Sequence, residues 1–161
     1  MQATSRRWIV LIAVALAAGG WTITPARAEV DFGDHSSATL TAKAWNALNG
    51  GGLDDALQFV NKCIELYAAE ALKMQASLTT APNFATPEAA GPYWALNDVG
   101  TCLFIKGQVL TKKGDKAGAK AAYAKLTQEL KFSQCWDPQG WFWKPAEAAK
   151  QKLVELEFEQ P

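Results

Sequence analysis

"LTAKAWNALNGGGLDDALQFVNKCIEL", residues 40–66, decides the fold. Leu40, Ala44 and Ala47 recur at spacings of four and three, the apolar face of a first helix expected over about 37–49. Asn49-Gly50-Gly51-Gly52 ends that helix, because glycine takes the left-handed backbone that closes helices cheaply. Asp54 and Asp55 then fall in the first turn of a second helix, where the dipole favours carboxylates. Its stripe is Val60, Ile64, Tyr67, Ala71, Met74 and Leu78, a helical face sustained over about 25 residues.

Beyond it lies "TTAPNFATPEAAGP", residues 79–92, with three prolines and no periodicity. It reads as a loop packed by Phe84. A third helix is expected from about Tyr93 to Lys113, with Leu96, Val99, Leu103, Gly107 and Leu110 on one face. "KKGD" turns the chain into a fourth helix over about 115–130, with Ala119, Tyr123 and Leu126 inward. A fifth is expected from near Pro138 to near Phe158. Strand-like alternation is missing, so the fold class is all-α.

Residues 40–66 and "LFIKGQVLTKKGDKAGAKAAYAKLTQEL", residues 103–130, resemble each other and the tetratricopeptide pattern. Each opens on a large apolar residue (Leu40, Leu103), with a small one four later (Ala44, Gly107). A glycine turn follows (Gly51, Gly114), then a small alanine (Ala56, Ala119); Cys63 and Leu126 stand where the family usually has alanine. The two units are 63 residues apart, Ala56 to Ala119, and not the family's 34. Two units are also fewer than an independent solenoid needs. The resemblance therefore implies a compact bundle of about five helices over 37–161, the fifth acting as a C-terminal cap.

Residues 1–28 read as an export signal, with Arg6 and Arg7 before the apolar run "WIVLIAVALAA" and cleavage after Ala28. The run is short of the roughly 20 residues that a membrane span needs. Residues 29–36 are expected to be a flexible polar lead. Removing 1–28 leaves 133 residues and takes Arg6, Arg7 and Arg27, so 13 basic groups face 16 acidic ones. That balance excludes a broad basic footprint for nucleic acid or anionic membranes. Periplasmic or secreted localisation follows from the signal.

Few residues carry chemistry. His35 is the one histidine, so neither a zinc site nor a Ser-His pair can be assembled from it. Neither a cofactor nor a metal is indicated, and Gly50 to Gly52 join two helices rather than cradle a phosphate. Asp137 with Glu147 is the one carboxylate pair that glycoside hydrolysis could use. Three cysteines in an exported chain suggest one disulfide. Cys102, near the start of the third helix, and Cys135, beyond the end of the fourth, make the preferred pair.

"QCWDPQGWFWK", residues 134–144, holds three tryptophans. Asp137 suits a helix N-cap and Pro138 the first helical position, which makes Trp136 and Trp141 a hydrophobic staple. Phe142, Ala146, Ala149, Leu153 and Leu156 form the core face of the fifth helix. Pro145 conflicts with this, and either kinks the helix or restarts it. Trp143 is left for a structural role or for stacking on a ligand.

The resemblance implies a scaffold without catalytic activity. In tetratricopeptide proteins the first helix of each pair lines a concave groove. The matching positions are Thr41, Trp45, Asn49, Thr101, Phe104, Gln108 and Lys112. The expected partner is a protein or peptide of the cell envelope. The alternative is a glycan-binding or carbohydrate-processing protein that uses Trp136, Trp141 or Trp143 as a platform.

Overall fold

The structure, a computed structural model, describes residues 30–137 and 139–158. The expected export signal and Pro138 lie outside them. In chain order come α1 (Ser37–Asn49), α2 (Leu53–Ala76), a 3-10 helix (Pro87–Tyr93), α3 (Trp94–Lys112) and α4 (Lys116–Glu129). Strands β1 (Cys135–Asp137) and β2 (Trp141–Trp143) and helix α5 (Pro145–Phe158) complete it. The fold is all-α, interrupted by one antiparallel hairpin.

Ser36 caps α1, its Oγ accepting the Thr39 N–H at 3.2 Å. Leu40, Ala44 and Leu48 are the buried face of α1, with Ala47 at its edge. The glycine turns after α1 and after α3 have the same construction. Gly51 and Gly114 both sit at φ +80°. The Gly52 N–H donates to the Ala47 carbonyl at 2.8 Å, and the Asp115 N–H to the Leu110 carbonyl at 2.9 Å. Each bond reaches back five residues to close the helix end, as in a Schellman motif. Ala56 and Ala119, each fully buried, follow at the same offset.

Each helix packs on the next in sequence, while α1 also touches α3 and α3 touches α5. This puts α3 at the centre. Ala95, Leu96, Val99, Cys102, Leu103, Phe104, Ile105 and Val109 are all buried, so α3 is apolar around most of its circumference and not on one face alone. At Gly107 an added Cβ would lie 2.3 Å from the Tyr123 ring, so the glycine lets α3 and α4 approach closely. Desolvation of Tyr123 pushes its phenol up to about 12, with the Thr111 hydroxyl opposing.

The described part of the lead, residues 30–36, is docked. Val30 and Phe32 pack on the core, and Phe32 meets Phe59 edge-on at 5.9 Å. The Tyr67 hydroxyl donates to the His35 carbonyl at 2.8 Å. Of the expected loop 79–92, residues 79–86 are irregular and the rest fall in the 3-10 helix, and Phe84 packs against Tyr93 and Phe142.

The fifth helix begins at Pro145 and not near Pro138. Proline has no N–H to donate and its ring clashes with the preceding turn, so it starts a helix more easily than it continues one. The residues before it pair as Cys135 with Trp143, Trp136 with Phe142, and Asp137 with Trp141. The Gly140 N–H donates to the Asp137 carbonyl at 2.9 Å, and Gly140 has φ +98°. The three-residue connection with a left-handed glycine is a common hairpin closure. Asp137 is thus no helix cap: its Oδ1 accepts the Gln139 N–H at 2.8 Å and holds the turn. Trp136 and Trp141 sit on opposite strands and do not form a staple.

Candidate functional site

A cavity of about 720 Å³ opens where α1, α3 and the hairpin meet. From α1 it is lined by Thr41 and Trp45, and from α3 by Asp98, Thr101 and Phe104. The hairpin adds Cys135, Trp136, Asp137, Trp141 and Trp143. Side chains alternate across a strand, so the pairs Cys135/Trp143 and Asp137/Trp141 share one face. Trp136 and Phe142 share the other. Trp136 meets Phe142 edge-on at 5.1 Å, and Phe142 lies 5.5 Å from Phe84, which ties the hairpin to the inserted loop.

Three rings form the floor. Trp143 lies 5.1 Å from Phe104 and 6.2 Å from Trp45, and Trp45 lies 6.5 Å from Phe104. All three contacts are tilted or edge-to-face, the arrangement that the ring quadrupoles favour. Trp143 is half-buried among them. Trp136 and Trp141, at 42% and 50% exposure, stand at the rim in solvent.

A polar network sets the hairpin against α3. Asn97 is buried, with its Oδ1 accepting the Gln134 N–H at 2.9 Å. Gln134 Nε2 donates to the Pro82 carbonyl at 2.6 Å, and Gln75 Oε1 accepts the Phe132 N–H at 3.0 Å. The Phe132 and Gln134 N–H groups and the Pro82 carbonyl are therefore satisfied, as burial requires.

Asp98 is the charged group on the inner wall. Burial pushes its carboxyl above the usual aspartate range, and a hydrogen bond donated by Ser37 Oγ opposes the shift. Among the described residues it has no ion-pair partner.

The three cysteines are free thiols, so Cys102 and Cys135 are not bridged. They address different faces of α3. Cys135 Sγ lies 2.8 Å from Thr101 Oγ1 and 3.4 Å from the Asn97 carbonyl, on the 97/101 face. Cys102, the next residue round, points about 100° away. There it meets Thr41 Oγ1 at 3.3 Å and lies against Cys63. Positions near the two helix ends do not fix the face that each cysteine takes. The hydrogen bond with Cys63 and then burial push the Cys102 thiol up. Burial takes Cys135 to about 12, with the Thr101 hydroxyl opposing.

Of the expected groove residues, Thr41, Trp45, Thr101 and Phe104 line the cavity. Asn49 is exposed at the end of α1, away from it. Gln108 and Lys112 line a separate cavity of about 180 Å³, with Tyr123 and Lys152. Trp143, expected as a stacking ring, lines the main cavity in the company of Trp45 and Phe104. Asp137 and Glu147 do not share a cavity: Glu147 lines a third, beside Trp141 and Lys144. Asp98 was not anticipated, though a signal exists. It is one of only two charged residues, with Lys106, in the apolar run 94–111.

Compared with known proteins, the chain matches no family model, no curated protein and no solved structure.

Proposed function

We propose that this is an exported, tetratricopeptide-like binding module without catalytic activity, which holds a segment of a partner protein in the cavity between α1, α3 and the hairpin. One observation carries the reading. Two separate sequence signals, the first-helix positions Thr41, Trp45, Thr101 and Phe104 and the tryptophan run 136–143, converge on one aromatic cavity. The contact order of the helices and the duplicated glycine turn support the tetratricopeptide likeness. The floor rings present edges to one another, which suits pockets for side chains better than a flat platform for sugar rings.

The test is selection of binders from a random peptide library on the purified chain. Selected peptides should shift the indole N–H signals of Trp45 and Trp143 and lose binding to Trp45→Ala. Peptides that bind Trp45→Ala equally well would defeat the reading. The exposed rings of Trp136 and Trp141 beside Asp137 favour a second reading, a glycan-binding platform. Saturable indole shifts with an envelope oligosaccharide, and none with any peptide, would select it.

A further inference from the structure

Two carboxylates, Asp98 and Asp137, line the cavity, together with five aromatic rings. No lysine, arginine or histidine among the described residues lines it. Asp98 is not an incidental surface charge. It is mostly withdrawn from water, is supported by a hydroxyl from Ser37, and has no cation beside it among the described residues. Other carboxylates do have cations: Asp31 pairs with Lys43 at 3.3 Å and Glu129 with Lys125 at 2.5 Å. Withdrawing an anion from water without a counter-charge is costly. A group that brings a positive charge removes that cost, and tryptophan and phenylalanine rings attract the same charge.

We infer that the cavity is built for a basic side chain, with the ammonium or guanidinium of a partner's lysine or arginine against Asp98 and its stem among Trp45, Phe104 and Trp143. Asp137, at the mouth on the hairpin, supplies a second negative charge on the way in. This rests on the binding reading above and names the residue type that the cavity selects. The partner is thus a polypeptide with an exposed basic residue, and not an acidic or C-terminal-carboxylate ligand.

The experiment titrates the full chain with the amides N-acetyl-arginine methylamide, N-acetyl-lysine methylamide and N-acetyl-citrulline methylamide, reading the Trp45 and Trp143 indole N–H signals. The two cations should give saturable shifts, and citrulline, which matches arginine in shape without its charge, should not. Asp98→Asn should weaken arginine binding by about tenfold or more, since it removes one partner of a desolvated charge pair. Its melting curve verifies that this variant is folded. Equal shifts from citrulline and arginine, or undiminished binding by Asp98→Asn, would overturn the inference. So would cellotetraose shifting these indoles where the cations fail. Library-selected peptides separate the two readings: peptides that need Trp45 but carry no basic residue and ignore Asp98→Asn leave the groove standing and remove its charge preference.

Discussion

Trp143 and Phe104 meet edge to face, with ring centroids 5.1 Å apart and planes at 79°. Together with the Cys135–Thr101 contact, it joins the hairpin to the central helix, and it puts an aromatic floor under the cavity. Trp143→Ala removes it and exposes Trp45 and Phe104 together. The expected loss is about 2–4 kcal/mol in urea unfolding, toward the lower part of the range for buried tryptophan because the ring is half-buried. Trp141→Ala, at a ring 50% exposed, should stay within about 1 kcal/mol of the parent. Equal costs at the two positions would mean that Trp143 does not anchor the hairpin.

Asp98 gives a pH signature. Its folded pKa is raised above the ordinary aspartate value of 3.8 by burial. Between those two values the folded chain keeps a proton that the unfolded chain has lost, so the proton favours folding at low pH. That contribution is lost as pH rises through the folded pKa. Asp98→Asn keeps an acceptor for Ser37 Oγ and abolishes the titration. It should be more stable than the parent at pH 7, with the advantage shrinking toward zero as pH falls below 3.8. Thermal melts across that range check it. A variant less stable than the parent at neutral pH would contradict the burial argument.

The thiols are separable by alkylation. Cys135 is held protonated by burial, and Cys63 and Cys102 are fully buried. Iodoacetamide at mildly alkaline pH should modify the native chain slowly at all three. After denaturation without reductant, the Cys135 peptide should appear alkylated and not linked to the Cys102 peptide. A Cys102–Cys135 cross-link in that digest would require α3 to turn by about 100° relative to the hairpin.

Gly107 tests the helix crossing. A methyl group there would lie 2.3 Å from the buried Tyr123 ring, so the ring or the helix crossing must shift. Gly107→Ala should destabilise by about 1–3 kcal/mol despite the better helix propensity of alanine. Gly91→Ala, where nothing lies within 4 Å of the added carbon, serves as the control and should be near neutral. Equilibrium unfolding of the two variants distinguishes crowding from a general effect of removing glycine.

The helices were legible because their signals are local. The three-four spacing and the glycine stops placed α1 to α4 within a residue or two. The spacing shows only one face of α3, since the helix is covered on several sides at once, by α1, α2, α4, α5 and the hairpin, most of which lie far away in sequence. The hairpin was missed for a definite reason. Strands of three residues are too short to show alternation, and Asp137 can cap a helix or hold a turn with equal chemistry. The turn signal was Gly140, three residues after Asp137. Half of the cavity was legible from helix positions. Its closure was not, because Trp143 gains its neighbours only when the hairpin folds back over α1 and α3.

The two glycine turns offer the molecule as its own control. Gly51 and Gly114 have the same φ, the same reach-back bond, and no atom within 4 Å of a would-be Cβ. Replacing either by alanine adds the same backbone strain, about 1–2 kcal/mol, and removes the same freedom from the unfolded chain, with no new contact within 4 Å. Any gap between the two measured costs therefore reports on the neighbourhood and not on the turn. The difference would gauge how tightly each helical pair is coupled to the rest of the bundle, with one half of the chain calibrating the other.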